Sequence, residues 1–137
     1  ERKAVVQSAA EKGVKVIINS SLDAATNRKS LKLQEQFEIV KAALGIYPEN
    51  AAKMSYSEVD EELKFMKSNA GKFVAFGEIG LDYEKTADRN KQQDVFESQL
   101  ELANKLGITH PALSRWLKSH TKPQKKNPCR DFPCRGL

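Results

Sequence analysis

The 137-residue sequence predicts an α/β fold in which parallel strands are joined by helices. Hydrophobic residues make up 39% of the chain and charged residues 30%, as in a globular domain. Segments with helical spacing alternate with short, β-branched segments as far as residue 108. The segments Val14–Asn19 and Phe73–Phe76 alternate only weakly between apolar and polar, which favours strands covered on both faces. This order predicts right-handed crossovers between parallel strands.

The first half of the sequence predicts two helices and two strands. Apolar residues recur at helical spacing in Ala4–Lys12, and Gly13 follows as a C-cap. The β-branched segment Val14–Asn19 predicts the first strand. Helical spacing returns in Ala24–Gln36, and Ile39–Ile46 predicts the second strand.

The second half predicts two more helices and two more strands. The S-x-x-E sequence at residues 55–58 is typical of a capping box at a helix start. Lys72–Ile79 predicts a third strand, and a long helix runs from about Asp88 through Leu106. Ile108 is then expected to open a fourth strand. A doubly wound sheet and a β/α barrel both fit this order, and periodicity does not choose between them.

The basic charge is concentrated at the C-terminus. Residues 1–108 contain 16 Lys and Arg against 17 Asp and Glu, whereas residues 109–137 contain 7 basic residues and 1 acidic one. The net charge of +5 therefore does not indicate a basic groove on the folded part. Prolines also cluster beyond residue 108, so we predict a folded domain over 1–108 and a disordered, proline-rich basic tail over 109–137.

Both cysteines, Cys129 and Cys134, lie in that tail. A single pair is a weak zinc signal, and solvated thiols are favoured over a structural metal or a local disulfide. No apolar run approaches the ~20 residues of a membrane span, and no signal-peptide core is found. We therefore expect a cytoplasmic protein. The absence of an initiating Met predicts that further sequence precedes Glu1.

Glu78 stands at the carboxyl end of the third predicted strand, bracketed by Gly77 and Gly80. In α/β folds that end of the sheet faces the ligand, and the glycines would let the backbone bend and approach it. Burying a carboxylate there is costly without a positive partner, and a divalent cation such as Mg²⁺, Mn²⁺ or Zn²⁺ suits its oxygens. A Glu that pairs with an Arg or caps a backbone amide is the alternative.

Two long motifs occur in the order found in the TatD family of metal-dependent deoxyribonucleases. Residues 77–83, GEIGLDY, resemble the signature of that family, and residues 93–108 resemble its following helix and the entry to the next strand. Leu44–Pro48 lies where the family has a G-[IVL]-H-P turn. The resemblance covers about residues 1–108 and is specific, because both motifs are long.

The resemblance implies part of a (β/α)₈ barrel of about 250 residues, with about four parallel strands in this chain. It also implies hydrolysis of phosphodiester bonds in DNA with one or two divalent metals. Glu78 matches the metal-ligand glutamate of the family and is thereby the catalytic candidate. Asp82 and Tyr83 match positions that support the site or the substrate. Tyr47 replaces the turn histidine, and Arg115 matches the Arg of a His-Ser-Arg sequence.

Several family ligands have no counterpart in this sequence. The H-x-H pair of the first strand would precede Glu1, and Leu113 occupies the His position of His-Ser-Arg. Catalytic metals generally need three or more protein ligands, and Glu78 is the one that is kept. We therefore expect an N-terminal-half fragment with little or no activity by itself. The abrupt change at Thr109 predicts an out-of-frame or misjoined end.

Two alternative functions, other than that of an enzyme, also remain open. The chain could be a non-catalytic fragment or pseudoenzyme, which would self-associate through exposed sheet edges. It could instead bind nucleic acid through the basic tail, where Trp116 would stack on a base and salt would weaken binding.

Overall fold

The computed structural model describes residues 1–84 and 88–108. The predictions made for the tail, including its disorder, its two cysteines, Trp116 and Arg115, lie outside the described residues. The division of the chain at residue 108 likewise stays a prediction.

Helices and strands alternate through the described residues. The strands are β1 (Ile17–Ser20), β2 (Val40–Leu44) and β3 (Ala75–Phe76). The helices are α1 (Arg2–Glu11), α2 (Ala24–Gln36), α3 (Pro48–Lys53), α4 (Tyr56–Ser68) and α5 (Arg89–Lys105). The sequence predicted each of these except α3, a short helix that begins with a proline in its first turn.

Side-chain caps fix where the longer helices begin. The predicted capping box is confirmed at α4, where Ser55 accepts a hydrogen bond from the Glu58 N–H and Glu58 reaches back to the Ser55 N–H. Asp23 caps α2 in the same way through Thr26. Asp88 accepts from the Lys91 N–H at the start of α5, as the sequence predicted.

The three strands form one parallel sheet in the order β1-β2-β3. Ile18 is in register with Lys41, and Ala43 is in register with Ala75. The α/β class with parallel strands is confirmed. Ile108 belongs to no strand, and the rest of the predicted fourth strand falls outside the described residues.

One side of the sheet packs against the helices. The buried cluster joins β2 to α2, α3, α4 and α5 and contains Leu31, Ala42, Leu44, Ile46, Ala51, Val59, Leu63, Met66, Phe73, Val95 and Leu102. The inward face of α5 includes Val95 and Gln99, which are 0% and 1% exposed. The helices and the central strand thus supply the core.

The expectation that the strands are covered on both faces is wrong for β1. Ile18 is 53% exposed and Val16, just before the strand, is 52% exposed, because β1 borders the described sheet and packs on one face only. Val74 is 50% exposed for a similar reason beside the short β3. The predicted helix α1 is confirmed, yet its Val5 is 64% exposed and none of its residues is buried.

Gly45 lies where β2 and β3 end and their backbones approach most closely. A Cβ atom at Gly45 would overlap the carbonyl oxygen of Gly77. A Cβ at Gly77 would instead lie 3.0 Å from side-chain atoms of Ala43 and Ser20. Gly77 therefore lies close to neighbouring strands, and the closest backbone approach requires glycine at position 45. The predicted approach of the Gly77 and Gly80 backbone to a ligand stays a prediction.

We expect Gly45→Ala to lower the free energy of unfolding by about 3 kcal/mol, since two backbones would have to separate. Gly77→Ala is the matched control and should cost about 1 kcal/mol, because its contacts are tight without overlapping a backbone atom and the Ser20 hydroxyl can rotate away. Urea unfolding followed by circular dichroism measures both. Equal losses for the two variants would contradict the close approach.

Candidate active site at the carboxyl ends of the strands

The carboxyl ends of the three parallel strands lie at one edge of the sheet, and the loops that follow them form a linked rim. The Tyr47 N–H donates a hydrogen bond of 2.9 Å to the Leu22 carbonyl, which joins the loops after β2 and β1. The Gly77 N–H donates to the Leu44 carbonyl at 3.0 Å and joins the loop after β3 to the last residue of β2. Ligand sites of α/β folds occur at this edge.

Glu78 lies on this rim, two residues beyond the end of β3, and is exposed. Its φ angle is 56°, in the left-handed region that side-chain-bearing residues seldom adopt. Within residues 1–84 and 88–108, its carboxylate is joined to no Arg and caps no amide. The strained backbone thus holds an accessible carboxylate at the expected end of the sheet, which is a pattern common at functional sites.

Tyr47 and Asp82, two of the predicted supporting residues, are brought together. The Tyr47 hydroxyl donates a hydrogen bond of 3.0 Å to Asp82 Oδ2 and so links the loops after β2 and β3. Tyr83 points elsewhere, with the Arg89 guanidinium 5.0 Å from its ring centre. Arg115 lies beyond the described part of the chain.

Two glutamines of α5 hold the rim, and the sequence analysis did not identify them as site residues. Gln99 accepts from the Ile46 N–H at 2.7 Å and donates to the Ile46 carbonyl at 3.2 Å. Gln92 accepts from the Asp82 N–H at 2.8 Å and donates to the Asp82 carbonyl at 2.9 Å. The amide oxygen and nitrogen of each glutamine are thus both hydrogen-bonded to the backbone of a single loop residue.

Asn27 of α2 makes the same two-point pair with the backbone of Gly45. It accepts from the Gly45 N–H at 3.0 Å and donates to the Gly45 carbonyl at 3.2 Å. Its amide also donates to Glu62 at 2.8 Å, and Glu62 forms a 2.7 Å salt bridge with Arg28. Both oxygens of the Glu62 carboxylate, whose side chain is 2% exposed, are therefore paired, one with Asn27 and the other with Arg28.

One signal in the sequence could have indicated these amides. Gln99 occupies a core position in the apolar stripe of α5, and a polar side chain there needs a buried partner. Gln92 lies two helical turns earlier on the same face. The sequence shows that such residues require partners, but it does not show which backbone groups provide them.

A second carboxylate near the rim, Asp23, is committed to capping α2. Hydrogen bonds from the backbone and side chain of Thr26 hold the pKa of Asp23 below its ordinary value. Among the described residues, no group of three or more His, Cys, Asp and Glu is placed to hold a metal. The described residues therefore do not complete a metal site, and Glu78 offers one ligand at most.

Comparisons with known proteins agree with the resemblance seen in the sequence. The family model described as TatD related DNase matches residues 1–110. The uncharacterized metal-dependent hydrolase YjjV of Escherichia coli is 31% identical over 133 residues, which cover 90% of this chain and 51% of that protein. The 3′-5′ ssDNA/RNA exonuclease TatD of Salmonella typhimurium is 27% identical over 109 residues, covering 79% and 41%.

A solved structure shows the same arrangement of helices and strands. The crystal structure of YjjV, a TatD homologue from Escherichia coli, superimposes with a TM-score of 0.70 at 33% identity. The match covers 87% of this chain and 49% of that one, so the chain spans about half the length of these relatives or less. The prediction of a partial (β/α)₈ barrel is confirmed.

We expect Glu78→Gly to be more stable than Glu78→Ala by about 1 kcal/mol, because glycine adopts a positive φ without steric cost. Glu61, an exposed residue within α4, is the matched control, and there glycine should be less stable than alanine by about 1 kcal/mol. Thermal and urea unfolding of the four variants measure the two differences. The same sign at both positions would rule out a strained backbone at Glu78.

Proposed function

The chain belongs to the family of TatD-related DNases, and from this membership we propose that it carries part of a metal-dependent hydrolase of phosphodiester bonds in DNA. The observation that supports the proposal most directly is the position of Glu78. The carboxylate of the signature stands exposed on the rim at the carboxyl ends of the strands, where α/β enzymes bind their ligands. The names of relatives as a metal-dependent hydrolase and as an exonuclease support the reaction class.

In this proposal, Glu78 supplies one ligand to a divalent metal, Mg²⁺, Mn²⁺ or Zn²⁺, and is the catalytic residue of this chain. Such a metal supplies a positive charge that stabilises the phosphoryl group during hydrolysis. We assign the remaining ligands to the part of a complete barrel that lies outside this 137-residue sequence, which spans about half of the related chain. The hydrogen-bonded Tyr47 and Asp82 keep the two loops of the rim together, and Tyr83 and Arg115 are assigned to substrate or support.

We place the protein in the cytoplasm. In the described ranges, no helix combines the length and apolar character needed to cross a bilayer.

We also propose that the chain associates with itself through the sheet, because Ile18 and Val16 lie exposed at β1, the border of the described sheet. Apolar side chains at an open strand favour pairing with another strand.

The nuclease proposal can be tested in a chimera in which residues 1–108 replace the matching segment of the Salmonella exonuclease. We expect metal-dependent degradation of labelled single-stranded DNA, and Glu78→Gln should lower its rate at least about 100-fold, because a ligand is lost. Glu35→Gln is the control, since Glu35 is exposed near the end of α2 at the opposite edge of the sheet. A folded chimera whose activity survives Glu78→Gln would reject the assigned role.

The same assay on the 137-residue chain should show little or no cleavage with Mg²⁺, Mn²⁺ or Zn²⁺, because Glu78 by itself does not hold a catalytic metal. Robust cleavage that Glu78→Gln abolishes would mean that the chain completes its own metal site. Cleavage of RNA oligonucleotides in parallel determines which nucleic acid is preferred.

Self-association predicts that Ile18→Lys reduces the apparent mass in sedimentation experiments, since a charge at the open strand opposes pairing. Val5→Lys is the matched control, because Val5 is 64% exposed but lies on α1 rather than on the sheet. The proposal fails if Ile18→Lys associates like the unsubstituted chain, or if Val5→Lys has the same effect.

A further inference from the structure

Gln92 and Gln99 occupy one face of α5, seven residues apart, and each is 1% exposed. Seven residues of an α-helix advance about 10 Å along its axis. At each end of this interval, a side-chain amide is paired by two hydrogen bonds to a single loop residue, Asp82 or Ile46. The helix therefore joins the loops after β3 and β2 through a rigid spacer.

The chemistry of these pairs suits amide side chains in particular. Beyond the strand ends, the N–H and C=O groups of Ile46 have left the ladder of the sheet, and Ile46 is 1% exposed. A buried backbone group without a partner destabilises the folded state. A glutamine side chain can present one of its two N–H groups beside its C=O group, in the geometry of a peptide group, so it takes the place of a neighbouring strand.

We propose that Gln92 and Gln99 are positioning residues of the candidate active site, which set the spacing of the loops that carry Glu78 and Tyr47. Gln92 acts through the backbone of Asp82, four residues after Glu78. Gln99 acts through Ile46, the neighbour of Tyr47. The inference rests on the proposed function, because the loops serve catalysis only if Glu78 binds a metal. The hydrogen bonds of the two glutamines are observed whether or not that function holds.

The hydrogen bond between Tyr47 and Asp82 is a probe of the distance between the two loops that Gln92 and Gln99 hold. The hydroxyl of Tyr47 lies 3.0 Å from Asp82 Oδ2, and the two residues belong to the two loops that α5 spaces. A hydrogen bond weakens steeply when its atoms move apart by more than a few tenths of an ångström. Loss of either glutamine pair should therefore disturb this bond, even though neither glutamine touches the Tyr47 hydroxyl through these contacts.

A third glutamine distinguishes positioning from general support of the fold. Gln34 of α2 accepts from the Ala42 N–H at 2.8 Å and donates to the Lys72 carbonyl at 2.5 Å. It bridges β2 and the segment before β3 with one hydrogen bond to each, and neither of these two bonds is made to a rim loop. Gln34→Met therefore removes a comparable pair of hydrogen bonds away from the candidate site.

The test uses nuclear magnetic resonance of the full chain carrying Gln92→Met, Gln99→Met or Gln34→Met, because methionine keeps the volume and removes both hydrogen bonds. We expect Gln92→Met and Gln99→Met each to move the Tyr47 Cζ resonance toward that of the urea-unfolded chain. Gln92→Met should also lower the exchange protection of the Asp82 amide at least about tenfold. Gln34→Met should leave the Tyr47 resonance in place.

An unchanged Tyr47 resonance in Gln92→Met would overturn the proposal, and so would an equal shift in Gln34→Met. If Gln99→Met does not fold, Gln92→Met and Gln34→Met decide the question between them. The nuclease proposal is judged separately. If the chimera stays active with Glu78→Gln, the proposed metal role of Glu78 is rejected and the proposed role of the glutamines is unaffected. If the Tyr47 resonance does not change in Gln92→Met, the proposed role of the glutamines is rejected and the metal role of Glu78 is unaffected.

Discussion

The structure depends on one constraint, which is that buried and half-buried backbone groups beyond the ends of the strands must find hydrogen-bond partners. Inside the sheet, neighbouring strands provide them. At the rim, Asn27, Gln92 and Gln99 provide them instead, each by a two-point pair to the backbone of a loop. These pairs fix the loops that carry the candidate catalytic residue, so the chemistry of the rim depends on helices that lie behind the sheet.

This arrangement explains how an unfavourable conformation can persist at Glu78. A left-handed φ costs free energy in a residue with a Cβ atom, and it is kept only where the surroundings hold it firmly. The backbone after Glu78 is held at Asp82 by Gln92, and the loop beside it is held at Ile46 by Gln99. The left-handed φ at Glu78 and the hydrogen bonds of the neighbouring loops therefore belong to one arrangement.

Local patterns predicted the helices well where short-range hydrogen bonds define them. Helix α2 spans the predicted residues Ala24–Gln36, and α4 begins at the predicted capping box. The strands agree less closely, since the predicted strand Lys72–Ile79 reduces to the two residues of β3. A strand needs a partner at each residue, and β2 offers one to β3 over a short length, which no local pattern reveals.

The sequence by itself determined the α/β class, the family and the identity of Glu78 as the candidate ligand, because these follow from periodicity and from contiguous motifs. The tertiary structure decided that Tyr47 meets Asp82, that Gly45 rather than Gly77 makes the closest backbone approach, and that β1 leaves one face open. It also gave Gln92 and Gln99 their partners. Contacts between residues that are distant in the chain exist only after the strands and helices have packed together, so sequence spacing does not contain them.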